Sequence, residues 1–484
     1  MFCSLGIGAV AFSSHLIAFK CAVLLTNSDF SILAMLAQDF LHGHFWIMPP
    51  AQHFGGMTMT LVRAFWLMIA SIWPGKTILD PWTNLAFTYL ILPTAVALLG
   101  YTLARQLFTS GIALIVGLLY AIGFAGWIQM YGNDFYWGAI VLGFIALIWR
   151  SKSLKPWHDF SPFQLGLAGF LVGISAYTWR GALPITLTLL IPTSRNEFPV
   201  THELFKKIRY CIWGGVIGFL PEIYYLMNNS VPDGISGHGD WAMPHEVFLN
   251  LRKLPFAFKE IVSGSEMDWK RSLSHLSIPL FLSSLVAMLW RSSLEKKLRP
   301  AVLSIVLTIV SFLSVNTYAS GPWRYLLPMT PALMLSVGAF LTKFRNSKFK
   351  YFSIVLVVSL LILHLFNQFS FRTMLMAENR KTNREQLINE VILQFKKRVI
   401  RVVISDDYWN TNTFTLMSGR EILFVSPIRR YAPKESYALL ESEKHIGFLI
   451  SKFVDKEIQT RKIQYRGLDF PFYTRVQNLG LFIK

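Results

Sequence analysis

The stretch "LGIGAVAFSSHLIAFKCAVLLTNSDFSILAMLAQDFLHGHF", Leu5–Phe45, decides the class of this protein. Its first half, Leu5–Leu25, is an apolar run of about the 20 residues needed to cross a bilayer. No basic segment precedes it and no small-residue cleavage site closes it before Thr26, so it reads as a retained transmembrane helix rather than a signal peptide. An acid, Asp29, follows at once. At a membrane boundary such a residue can cap or begin a helix, sit solvated in a loop, or do chemistry. The apolar spacing of "FSILAMLAQDFL" after it is helical, which keeps the capping reading open.

The rest of the chain has the same character. Of 484 residues, 53% are hydrophobic and 15% charged, where soluble domains carry roughly 25% charged residues. Mean hydropathy is +0.43. So much apolar surface does not fit inside one water-soluble core, and the chain is read as a polytopic membrane protein. The net charge of +19 raises nucleic acid as a partner. The basic residues, however, punctuate apolar segments as membrane topology requires, instead of clustering on a soluble module, so nucleic-acid binding is excluded. Cys3, Cys21 and Cys211 lie at the N-terminus or inside apolar segments and imply neither a disulfide nor a zinc framework.

Hydropathy predicts about eleven spans, near Leu5–Leu25, Trp82–Leu103, Gly111–Trp127, Tyr136–Trp149, Gln164–Tyr177, Ala182–Pro192, Tyr210–Met227, Leu276–Trp290, Ala301–Tyr318, Thr330–Leu341 and Tyr351–Phe369. Met57–Trp73 is apolar too, but it contains Arg63 and is read as a helix along the membrane face. Alternate loops hold Arg105; Arg150, Lys152 and Lys155; Arg195, Lys206, Lys207 and Arg209; Arg291, Lys296, Lys297 and Arg299; and Lys343, Arg345, Lys348 and Lys350. These loops are assigned to the cytoplasm. The N-terminus is then cytoplasmic, with a first outer loop over 27–81 and a second over 228–274. Residues 1–371 make the transmembrane domain. From 372 to 484, short apolar runs ("VIRVVISD", "EILFVSP", "HIGFLIS") alternate with helical patterns, which predicts a small α/β domain outside the cytoplasm.

In this topology five polar residues gather at outer helix ends: Asp29, Asp134 in "YGNDFYW", Arg180 in "YTWRGALP", Glu222 in "FLPEIYY" and Arg324 in "GPWRYLLP". An outer cavity lined by acids and arginines accounts for all five. Each also has a plainer reading. Asp29 can cap, Asp39 reads as a solvated helix face, and Arg180 and Arg324 can snorkel to the headgroups, beside the interface aromatics Trp179 and Trp323. His42, His44 and His53 could compose a metal site, but His-x-His without a supporting motif favours interfacial polar filling. "VPDGISGHGDW", Val231–Trp241, reads as an outer loop able to gate a site.

The acid after the first span together with "ILAMLAQDFLHGHF" resembles the first outer loop of the GT-C glycosyltransferase superfamily, and within it the bacterial protein-mannosyltransferase and aminoarabinose-transferase group. "GPWRYLLPMTPALMLSVGAFL", Gly321–Leu341, is similar to that group's late "RYLLPLYPAL" segment. "GLAGFLVGISAYTWRGALPI", Gly166–Ile185, resembles its glycine-rich helix pair, where Lys-Gly often replaces Arg180-Gly181. "DDYWNTNTFTLMSGREILFV", Asp406–Val425, looks like the outer tail of some members.

The resemblance implies an inverting sugar transferase of the bacterial cytoplasmic membrane. Its donor would be a polyprenyl-phosphate-linked sugar, and its acceptor a glycan, a lipid or a protein on the outer face. Asp29 would be the general base, with Asp134 as a second acid, Arg180 and Arg324 on the lipid phosphate, and His53 and Glu222 on substrate. Many members have Asp-Glu where this chain has Ser28-Asp29. No cofactor is required, and a divalent metal stays open. The residue chemistry is consistent with this. A carboxylate takes the acceptor proton, and arginines match the leaving phosphate with paired donors. An inactive membrane scaffold and a lipid or solute transporter are the alternatives. The second would need charged or broken helices near the midplane, where few ionisable groups occur.

Overall fold

The computed structural model of the chain describes residues 2–26, 28–45, 56–74, 76–123, 134–152, 160–191, 201–228, 243–263, 277–314, 322–405, 408–426, 446–450, 463–465, 468–470, 472–476 and 479–483. Among these, every regular element up to Lys397 is helical. Five helices are long and apolar enough to cross a membrane: Phe2–Lys20, Pro81–Leu107, Asp134–Lys152, Lys296–Ser314 and Tyr325–Phe344. Of the eleven spans expected, some fall short of that length within the described residues. Ser110–Ile122 is 13 residues long, about 20 Å of helix. The expected span Ala182–Pro192 falls into single turns, Arg180–Ala182, Leu183–Thr186 and Leu187–Leu189. Within it the Thr188 hydroxyl bonds back to the carbonyl of Ile185 at 2.6 Å.

The core is organised around Thr330–Phe344, buried at every position from Thr330 to Leu341. A helix apolar on all sides belongs in the middle of a bundle. Pro162–Thr178 and Thr201–Asn228 are held together differently. A Cβ built on Gly169 would collide with the Cys211 carbonyl oxygen, and one on Gly214 with that of Gly166. Glycine at these positions lets the two backbones touch, the small-residue packing expected where no water drives helices together.

The last helix of the bundle, Lys350–Thr382, has 33 residues and runs about 50 Å, well beyond a hydrocarbon core of ~30 Å. It passes through the expected boundary at 371 without a break. The break comes at Asn383, whose φ of 43° lies in the left-handed region that asparagine tolerates. The Arg384–Lys397 helix then leads into a five-stranded sheet of order β2-β1-β3-β7-β6, with β1 Val402–Ser405, β2 Leu423–Val425, β3 Ile446–Ile450, β6 Phe472–Val476 and β7 Leu479–Ile483. β1 pairs in parallel with β2 (Val402 opposite Leu423) and with β3 (Val402 opposite Ile446), while β7 joins β3 and β6 antiparallel. The fully buried "VVIS" of β1 is what a central parallel strand covered on both faces requires. The Tyr408–Met417 helix crosses from β1 to β2. β4 Ile463–Tyr465 and β5 Leu468–Phe470 form a separate hairpin.

Candidate active site at the first-loop helix

The Ser28–Leu41 helix is the element on which the site depends. Asp29 is its second residue, inside the first turn, where the free backbone N–H groups and the helix dipole favour a negative charge. One side of the helix packs on the bundle. The Phe30 ring lies 6.1 Å from that of Tyr89, and Leu33 clusters with Phe135, Ala139, Trp179 and Ala182. Another side is held by the C-terminal region. Arg384 donates to the carbonyl of Thr26 at 3.1 Å, the Ser31 hydroxyl donates to Thr413 Oγ1 at 3.2 Å, and Arg420 pairs with Asp39. Asp39 is thus a buried ion-pair partner and not the solvated face expected of it. Arg420 reaches it from a backbone at φ 65°, directly after Gly419 in the same conformation.

Asp134 was expected to line an open cavity. Instead its side chain is wholly buried in an ion pair with Arg63, itself wholly buried. Thr88 completes the knot, donating to Asp134 Oδ1 at 2.6 Å and accepting from Arg63 Nη2 at 2.7 Å. Thr88 sits in a π-helical turn, Phe87–Ile91, inside a longer helix, a distortion common where a side chain must be re-aimed. The guanidinium is flanked by Phe30 at 4.4 Å and Phe87 at 5.5 Å, whose ring faces attract its charge. Sequence reading passed over Arg63 as the mark of an interfacial helix. The signal was its register: Met59, Arg63 and Leu67 recur every fourth residue on the buried face of Thr58–Ala70.

Arg180 and Glu222 meet. The arginine Nη2 lies 2.5 Å from Glu222 Oε1, with the arginine side chain 54% exposed and the glutamate 4%. Pro221, which cannot donate to the carbonyl of Ile217, precedes Glu222 within its helix. Beside them residues 56–58 are stitched to the end of Pro162–Thr178. Met57 N–H donates to the Tyr177 hydroxyl at 3.0 Å, Gly56 N–H donates to the Thr178 carbonyl at 3.2 Å, and the Thr178 and Thr58 hydroxyls lie 2.9 Å apart. A side chain on Gly56 would strike Tyr177. Trp179, expected at the membrane interface, is buried edge-on against Tyr136 at 5.0 Å. Arg324 lies on the 3-10 stretch Pro322–Met329, which packs against the Arg180–Ala182 turn and the Asp134–Lys152 helix. The structure therefore brings together the elements that carry Asp29, Arg180, Glu222 and Arg324, and places Asp134 behind them.

His53 and the Val231–Trp241 loop lie outside the described residues. Among the described residues no three His, Cys, Asp or Glu side chains converge as metal ligands, and His42 Nδ1–H donates to the Gln38 carbonyl at 2.8 Å.

No described protein family matches the sequence, and no curated protein does. Among solved structures, the crystal structure of the Archaeoglobus fulgidus oligosaccharyltransferase complex with zinc and sulfate aligns over 93% of this chain and 68% of its own, at 12% identity and a TM-score of 0.48. Its apo form aligns over 93% and 70%, at 12% identity and a TM-score of 0.47. The oligosaccharyltransferase AglB of the same archaeon, in complex with an inhibitory peptide and a dolichol-phosphate, aligns over 93% and 70%, at 13% identity and a TM-score of 0.43.

Proposed function

We propose that this protein is a membrane glycosyltransferase of the GT-C type, moving a sugar from a polyprenyl-phosphate-linked donor to an acceptor on the outer face of the membrane. The observation that carries the reading is the convergence around Trp179. Through Leu33 the helix bearing Asp29 packs on this residue, whose chain neighbour Arg180 is a half-exposed arginine held by Glu222. The turn bearing Arg324 packs on the same spot. A carboxylate and two arginines on adjoining turns supply what the reaction needs. Asp29 takes the proton from the acceptor hydroxyl or amine, whose lone pair attacks the anomeric carbon with inversion. The bond from that carbon to the phosphate oxygen breaks, and the arginines hold the charge left on the lipid phosphate. Glu222 fixes the Arg180 guanidinium. The orientation that goes with this reading has a cytoplasmic N-terminus and the C-terminal region outside.

With Asp134 sealed against Arg63, Asp29 stands as the general base, and Asp134 supports the site through that ion pair. The experiment is release of polyprenyl phosphate from a labelled pool of lipid-linked sugars. Asp29→Asn keeps any capping ability but cannot accept a proton, so turnover should fall by ~10²–10⁴ while the amount of folded protein in the membrane stays the same. The burial of Asp134 also favours a second reading, a scaffold without catalysis, because it leaves no paired acid. Wild-type protein that releases no phosphate from any lipid-linked sugar supports the scaffold instead.

A further inference from the structure

The Pro244–Ser263 helix belongs to none of the spans, and the proposed transfer chemistry gives it no task. Its depth is nevertheless set. The Asn250 side-chain amide donates to the carbonyls of Phe312 and Leu313 at 3.4 and 3.3 Å, in the last described turn of the Arg299–Ser314 helix. Phe312 and Leu313 lie about 20 Å along that helix from Arg299, most of the way across a hydrocarbon core of ~30 Å. Lys296, Lys297 and Arg299 mark its other boundary. Asn250 is therefore held toward the membrane boundary opposite those cations. The same helix packs on Pro322–Met329, which leads into the Tyr325–Phe344 span.

Asn250 and Ala257 form its buried stripe, continued at the end of the helix by Glu260, Ile261 and Val262. Away from that stripe it exposes large apolar side chains: Phe248 at 71%, Phe256 at 53%, Leu251 at 52% and Leu249 at 48%. Arg252, exposed, and Lys259, half-buried, lie seven residues apart on the side away from Asn250. A water-facing loop helix would not show two phenylalanines and two leucines, and a helix immersed in hydrocarbon would not carry these cations. Aromatic and aliphatic side chains interleaved with lysine and arginine suit the headgroup layer, where the rings enter the acyl boundary and the cations meet phosphate.

We propose that Pro244–Ser263 is a membrane-surface helix, docked along one face of the bilayer and binding the phosphate headgroups of anionic lipids. The inference stands on the spans alone and does not depend on glycosyl transfer.

The test is a nitroxide on Phe248→Cys in a Cys3→Ser background, since Cys3 is the exposed cysteine and Cys21 and Cys211 are buried. Protein is placed in nanodiscs of phosphatidylcholine with phosphatidylglycerol. Collisions with oxygen, which enters lipid, are compared with collisions with a nickel chelate, which stays in water. Val310→Cys on the Arg299–Ser314 helix serves as the hydrocarbon reference and Leu393→Cys on Arg384–Lys397 as the water reference. The label at position 248 should fall between the two. A label that matches Leu393→Cys means the helix faces water, and one that neither reagent reaches means protein covers it; either result overturns the proposal. Phe256→Cys replaces Phe248→Cys if the latter misfolds. In the second arm, Arg252→Gln should lower retained phosphatidylglycerol about fivefold relative to phosphatidylcholine. Unchanged retention overturns the headgroup binding.

Discussion

Arg63–Asp134 and Arg180–Glu222 use the same two chemical groups for opposite ends. In the first pair both side chains are fully buried, flanked by two phenylalanines and tied to Thr88. In the second the glutamate is buried while the arginine side chain stays 54% exposed. Burying a charge is costly unless a partner answers it. The sealed pair thus makes each of its members necessary to the fold, and offers neither to a ligand. The open pair tolerates a change that keeps the arginine's charge, and presents a guanidinium whose orientation is already set. Two further pairs lie between or beyond these extremes: Asp39–Arg420, nearly buried between the first-loop helix and the C-terminal region, and Lys76–Asp80, largely at the surface. Burial predicts the order in which their loss should hurt stability, and that order can be broken by measurement.

The largest effect belongs to the sealed pair. Arg63→Leu alone strands the Asp134 carboxylate and should cost ~3–5 kcal/mol, seen as lost monodisperse protein and a lowered unfolding temperature in detergent. Arg63→Leu with Asp134→Leu should recover most of that loss. A neutral single variant would mean that Asp134 is not held by this pair. Next comes Arg420→Ala, which leaves Asp39 unanswered and should cost about 1.5–3 kcal/mol in docking of the C-terminal region. Faster hydrogen exchange in Ser28–Leu41 would report it, and Asp39→Arg with Arg420→Asp should restore protection if charge pairing is the cause.

Arg180→Lys should move stability by no more than about 0.5 kcal/mol. The same change should weaken use of the lipid-linked donor roughly tenfold or more, because lysine lacks the planar fork. A wild-type donor dependence in Arg180→Lys would erase the functional half of the comparison. The smallest effect is at Asp80, the N-cap of the helix starting at Pro81. Burial pushes its carboxyl upward, but bonds from the Thr83 hydroxyl, the Lys76 ammonium and the Trp82 amide outweigh this and hold its pKa below the ordinary 3.8. A depressed pKa contributes stability that is present above the unfolded value and is lost as pH falls through the folded one. Asp80→Asn, which still caps, should therefore cost only a few tenths of a kcal/mol near neutral pH, and the difference from wild type should shrink as the pH falls through the lowered folded value.

The sequence by itself determined the class and the elements. Apolar runs of bilayer length, basic residues between them and the change of texture after Phe371 need only nearest neighbours to be read, because hydropathy and helical period are local properties. Strands at Val402–Ser405, Leu423–Val425 and Ile446–Ile450 and the Tyr408–Met417 helix lie inside stretches whose composition already pointed to them. The candidate acids and arginines could also be named from sequence. Their roles could not, because a role depends on which distant group answers the charge. Asp134 finds Arg63, 71 residues away, and Asp39 finds Arg420, 381 residues away. Asp134 and Glu222 look alike along the chain, as acids at the ends of apolar helices. Only the tertiary structure decides that one is sealed against Arg63 while the other holds a half-exposed arginine, since burial is a property of what packs around a residue and not of the residues beside it.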